Sequence, residues 1–160
     1  MRIYERVNKY MCNNNCEENK NCICEILKVI LVLQENACPE VCLDSCDRPM
    51  LGGGPNCLIC NTRPVQLFTC SGNGVAWSMP TSKDSTATCS TPLVTNEMEN
   101  CSNVFRVEKL DNNCVTCRVL MDNPDTNSLN PFVATNSFFT MDLKCVCAIR
   151  CLTDTFIESI

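Results

Sequence analysis

Two cysteine pairs, Cys57-x-x-Cys60 and Cys114-x-x-Cys117, have the local spacing with which thiolates hold zinc, and Cys145-x-Cys147 could contribute further sulfurs. A four-cysteine site needs four converging ligands, and structural sites usually place their two pairs closer in sequence than 57 and 114. The same spacing supports redox turnover where a strand, the motif and a helix follow one another and lower the pKa of one thiol. Both pairs here fall instead in loop or strand surroundings. With no histidine in the chain, Cys-His and Ser-His-Asp activation of a nucleophile is excluded. Gly52-Gly53-Gly54 lacks the lysine and the strand-to-helix setting of a phosphate loop. Glu97 with Glu99, and Asp122 with Asp125, sit in polar, turn-rich segments that read as solvated loops rather than acid–base pairs. No catalytic residue, cofactor or resident metal is expected, and the chain does not read as an enzyme.

Cross-linking is the chemistry that remains. Seventeen of the 160 residues are cysteine, a density in the range of disulfide scaffolds, and an odd count leaves at least one thiol free or bonded to a neighbouring chain. A chain of this length can build a core without staples, so the surplus sulfur points to durability or polymerisation. The net charge is −5 and the one cation-rich stretch is the start, with Arg2, Arg6 and Lys9. That distribution offers no footprint for a nucleic-acid backbone, and one Trp with two Tyr argue against a base-stacking platform. Ile26–Leu33 is the longest apolar run, and it is interrupted by Lys28 and too short to span a bilayer. The polar N-terminus reads as lacking a secretory signal, and Glu35 and Asn36 ahead of Cys38 do not suit a lipoprotein cleavage site. Abundant cysteine without a signal is reconciled by synthesis in a reducing cytosol and later oxidation.

The elements that must position these thiols divide into three parts. Residues 1–21 are polar and Asn-rich and are expected to form a flexible arm carrying Cys12 and Cys16. Residues 22–56 are read as a helix and a cysteine-rich connector. Ile23, Ile26, Leu27, Ile30 and Leu33 recur at helical spacing, which predicts a helix from about Cys22 to Asn36. Val29, Leu31 and Val32 widen the apolar surface beyond one face, so the helix either packs wholly on the core or presents a second side to another subunit. Cys38, Cys42 and Cys46 follow, and Pro39 with the loop Met50–Pro55 makes a compact turn the expected form. Residues 57–160 carry β signals. Val65–Cys70 and Val75–Met79 flank Ser71-Gly72-Asn73-Gly74, and Val104–Leu110 and Cys114–Met121 flank Asp111-Asn112-Asn113, predicting two hairpins. From Phe139 to Ile149 the odd positions are apolar, which predicts one strand. The expected class is mainly β, a small antiparallel sandwich or barrel-like core preceded by the helix and the arm.

Several blocks resemble one family. Phe105-Arg106-Val107-Glu108, Cys114-Val-Thr-Cys117-Arg118-Val119-Leu120 and Met141-Asp-Leu-Lys-Cys145-Val-Cys147-Ala-Ile-Arg-Cys151-Leu152 are similar to the CotY/CotZ family of spore coat proteins, the exosporium protein ExsY among them. Asn61-Thr62-Arg63-Pro64 before a strand and Cys22-Ile23-Cys24 heading an apolar helix match further family blocks in the same order. The resemblance implies a structural protein made in the mother cell, assembling into the outer spore layers (coat, crust or exosporium) with itself and with other coat proteins. Disulfides would harden that layer once lysis of the mother cell admits oxidant.

Lattice contacts must come first, because only repeating geometry sets the same thiol opposite the same partner in every copy. Thiols near a mobile arm reach partners most readily. Cys12, Cys16, Cys22 and Cys24, with Cys38, Cys42 and Cys46 next, are therefore the candidates for bonds between chains. Cys114, Cys117, Cys145, Cys147 and Cys151 are the candidates for internal or core cysteines. A soluble zinc-binding module without covalent assembly is the competing reading, with the thiolates as ligands.

Overall fold

A computed structural model describes residues 22–37, 60–89 and 100–158. The arm, most of the cysteine-rich connector, and Cys12, Cys16, Cys38, Cys42, Cys46 and Cys57 lie outside these residues. Helix α1 is Cys22–Glu35, close to the bounds that its periodicity predicts. Its C-terminal end is closed by Asn36, whose backbone and side-chain amides both donate to the Val32 carbonyl, at 3.1 and 2.7 Å. Ile23, Cys24, Leu27, Ile30 and Gln34 face the core, whereas Ile26 and Leu33 do not.

The β elements are β1 (Val65–Thr69), β2 (Met79–Pro80), β3 (Cys101–Ser102), β4 (Val104–Asp111), β5 (Cys114–Asp122), β6 (Phe132–Asp142) and β7 (Val146–Cys151). Five strands form one antiparallel sheet in the order β6-β5-β4-β1-β7, and β2 pairs with β3. The β4–β5 hairpin forms around Asn112-Asn113, with Asn112 in the left-handed region at φ 52°. The other hairpin opens early. After Asn73 and Gly74, both at positive φ, the chain returns only through a Phe68–Ala76 bridge and a Trp77 amide donated to the Leu67 carbonyl at 2.8 Å. One edge of β1 is then shared between this returning segment and β4, which meets it at Val65–Phe105, and the chain departs to form β2.

The alternation from Phe139 to Ile149 is two strands rather than one. Asp142 accepts the Lys144 amide at 2.9 Å and caps a 3-10 turn over Leu143–Cys145. Three residues between Asp142 and Val146 span at most about 14 Å, while five flat strands would be roughly 19 Å across. Because β6 and β7 are the two outer strands and do not pair, the sheet is open but must curl enough to bring the end of β6 within reach of the start of β7. The turn also switches parity: Met141 and Leu143 point inward, and then Val146 does.

One core lies between α1 and the sheet, with Ile23, Leu27 and Ile30 against Phe105, Val107, Val115 and Val119. Phe105 meets Phe139 edge to face with centroids 4.7 Å apart. A smaller cluster on the other face joins Val104 and Leu120 to Ile157 of the C-terminal segment. Gln34 ties the layers together: its amide donates to the Val107 carbonyl at 2.7 Å and its carbonyl accepts the Arg63 amide at 3.2 Å.

Candidate functional site: the cysteine surface

Strand pairing sorts the described cysteines into three sets. In the first, neighbouring elements bring sulfurs together. Cys70 follows β1 and is bonded to Cys147 of β7, with Cα atoms 5.0 Å apart and 77 residues between them in sequence. The register explains the contact, since Phe68 pairs with Ala148 and Thr69 with Val146. Cys147 is thus the extra residue of a bulge, aimed out of the ladder toward Cys70. Cys89 is bonded to Cys101 at the start of β3, with a Cα separation of 5.8 Å.

The second set is buried. Cys24 lies wholly inside the core and is disulfide-bonded. Cys117 is a free thiol enclosed by the core on β5. Burial, and secondarily the Glu108 carboxylate, push it from 9.0 up to about 12. A raised thiol pKa favours the neutral folded form, so this contribution is complete below pH 9. It is lost as pH rises from 9 toward 12, where the unfolded thiol ionises and the folded one does not. We expect Cys117 to resist maleimide at pH 8 in the folded protein and to label on denaturation; labelling as fast as the surface thiols would contradict the burial. A Cys117→Ala variant should lose stability less steeply over pH 9 to 11 than the wild-type protein, as read by denaturant titration.

The third set is exposed and free: Cys22, Cys60, Cys114, Cys145 and Cys151. Cys114 and Cys145 occupy one end of the sheet, where Cys114 pairs with Asp142 and the Leu143 amide donates to the Asn113 carbonyl at 2.7 Å. Cys151 and Cys60 occupy the opposite end. Cys151 pairs with Val65, and the residues after Cys60 bond to Thr155. The Arg63–Asp154 ion pair, with contacts of 2.7 and 2.8 Å, stands beside them. Its hydrogen bond holds the Asp154 carboxyl below the usual carboxylate range, so this tie is present near neutral pH and is lost on acidification through the lowered value. Cys22 begins α1.

Of the cysteines expected to bond between chains, then, Cys22 is exposed and Cys24 is enclosed. Of those expected inside, Cys117 is enclosed, Cys147 is bonded to Cys70, and Cys114, Cys145 and Cys151 are exposed. The parity switch at the 3-10 turn accounts for Cys145, which would have shared the inward face of an unbroken strand. Cys60 is exposed beside Asn61, whose amide donates to the Thr155 carbonyl at 3.1 Å, and it carries no local signal beyond its C-x-x-C spacing.

Zinc chemistry finds little support in this arrangement. Cys114 and Cys117 lie three apart on a regular strand and face opposite sides of the sheet, so they do not present two sulfurs to one ion. Among the described residues no group of three metal-ligating side chains converges. A concavity of about 750 Å³ lies by β6 and is lined by Phe132, Phe138, Phe156 and Arg118. Arg118 is already held by Glu108 at 2.9 Å and stacks on Phe138 at 4.5 Å. No helix among the described residues is long and apolar enough to cross a membrane.

Comparison with curated proteins and with solved structures finds no match. The family model for spore coat protein Z matches residues 10–154. That span covers the helix, all of the strands β1–β7 and the exposed cysteines together, and the chain belongs to the spore coat protein Z family, whose members are structural components of the spore surface.

Proposed function

We propose that this chain self-assembles into an ordered lattice in the outer bacterial spore layer, coat, crust or exosporium, and that disulfides between copies lock it. The observation that carries this reading is the placement of free, exposed thiols at both ends of the sheet and at the head of α1. A unit reactive at two ends extends into chains, and a third group on its side joins chains into a sheet. Cys22, Cys60, Cys114, Cys145 and Cys151 are the described residues for these bonds, alongside Cys12, Cys16, Cys38, Cys42 and Cys46. Each bond consumes two thiols, forms one S–S bond, releases two protons and passes two electrons to dioxygen or to a small-molecule disulfide. Synthesis in the mother-cell cytosol and partnership with other coat proteins complete the reading.

Electron microscopy of the full chain, with non-reducing and reducing gels of the same sample, tests it. Sheets or closed shells that withstand hot detergent and collapse to a 17.9 kDa band on adding a thiol reductant are expected. Serine at Cys22, Cys60, Cys114, Cys145 and Cys151 together should leave sheets that detergent disperses much more readily. A monomer indifferent to reductant, with stoichiometric zinc whose removal unfolds it, would replace this reading with the soluble zinc-binding module.

A further inference from the structure

The outward side of α1 is apolar. Ile26, Val29, Val32 and Leu33 are 40%, 55%, 55% and 49% exposed, where a helix serving one core would carry polar residues. At about 100° per residue, Cys22, Ile26, Val29 and Leu33 fall within roughly 60° of one another, about 100° around from the stripe of Ile23, Leu27, Ile30 and Gln34 that faces the core. Their 4-3-4 spacing is that of a seam between two helices.

Building on self-assembly as the function, we propose that this seam packs on the same seam of a second copy, the two α1 helices lying antiparallel about a two-fold axis. The flanks of the seam decide the direction. One flank is the more polar, carrying the charges of Glu25 and Lys28, paired at 3.2 Å, with Val32 between them around the helix. The other runs through Ile23 and Ile30 into the core. A two-fold axis across the helices sets polar flank against polar flank and apolar against apolar, whereas a parallel pair sets each polar flank against the other copy's apolar one. Antiparallel packing also aligns the helix dipoles favourably. With the axis set midway between Ile26 and Val29, Ile26 of each copy meets Val29 of the other at the centre.

A second copy suits this surface better than an unrelated partner. The Glu25–Lys28 pair leaves the seam without net charge to select a foreign chain, and an isologous contact needs only self-complementarity. The half-exposed side chains offer on the order of 400 Å² per copy, about half of what each partner brings to a standard interface. The contact is therefore weak alone and gains strength when many act together in a lattice.

Sedimentation of the full chain with its free thiols kept reduced tests the seam, using Ile26→Lys and Val29→Glu as separate variants and as a mixture of the two. Each variant alone should associate at least tenfold more weakly than the wild-type protein while melting within a few degrees of it. Mixing them should restore association, in a salt-sensitive way, because the new cation of one chain then faces the new anion of the other. Wild-type protein that stays monomeric at every concentration would overturn this contact together with the self-assembly reading. Wild-type association that both variants retain would overturn the helix seam alone. Failure of the mixture to associate, with both folds intact, would overturn the antiparallel register. Variants that melt far below wild-type would show that the stripe is covered within its own chain, which also overturns the proposal.

Discussion

Replacing Cys70 and Cys147 together with serine lowers the melting temperature by about 10 °C, the value expected for a loss of about 3 kcal/mol from a domain of this size. The bond links residues 77 apart in sequence, and closing so long a loop removes more entropy from the unfolded chain than closing a short one. Its place in the native sheet adds to the effect. β7 is an outer strand paired to β1 alone, and the bond fastens that pair where the bulge interrupts the ladder. Calorimetry of the double variant against the wild-type protein reads the stability, and amide exchange along β7 reads the local part. An unchanged melting temperature, with β7 amides exchanging as slowly as before, would show that the bond contributes nothing in the folded protein.

Glu108→Gln is the second large effect, with an expected cost of about 2 to 4 kcal/mol. In the β4–β5 register Arg106 stands directly opposite Arg118, a like-charge pair that is destabilising unless bridged. Glu108 bridges it, its two oxygens each 2.9 Å from one guanidinium. It can reach both because the β4 ladder passes from Val107–Cys117 to Lys109–Thr116, leaving Glu108 as the bulged residue. Arg106 is mostly buried and also donates to the Thr62 hydroxyl at 2.9 Å. Glutamine keeps the shape and removes the charge, leaving two cations facing one another in a partly desolvated site. Urea unfolding should show the loss, and adding Arg118→Met to Glu108→Gln should recover part of it by removing one cation. A cost below about 0.5 kcal/mol would mean that water already screens the three groups as it does a surface pair.

Local sequence rules read some of these elements and were silent on others, for physical reasons. The α1 pattern and the Asp111-Asn112-Asn113 turn act over a few residues, and both appear close to where they are expected. The end of the first hairpin is decided by competition for one edge of β1, which no window around Ser71–Gly74 contains. The break between β6 and β7 turns on Asp142 capping a short turn, a contact that a period-two count treats as one more polar position. Extending that count across the break carries Cys145 onto the inward face, whereas the turn leaves it exposed. The partner of Cys70 could not be read at all, because sheet order brings Cys147 to it from 77 residues away. Membership of the spore coat protein Z family, by contrast, was legible in the blocks around Phe105, Cys114 and Met141.

Sheet geometry also imposes an order in time on oxidation. Cys70 and Cys147 sit on adjoining elements, 5.0 Å apart at Cα, so their bond forms by a first-order reaction whose rate is indifferent to how much protein surrounds it. The outward thiols at the two ends of the sheet meet only through collision or lattice contact, and their reaction depends on local concentration. Dilute protein exposed to oxidant would thus mature inside while remaining separate outside. Crowding, rather than oxidant alone, would set the moment at which one molecule becomes covalently continuous with the next.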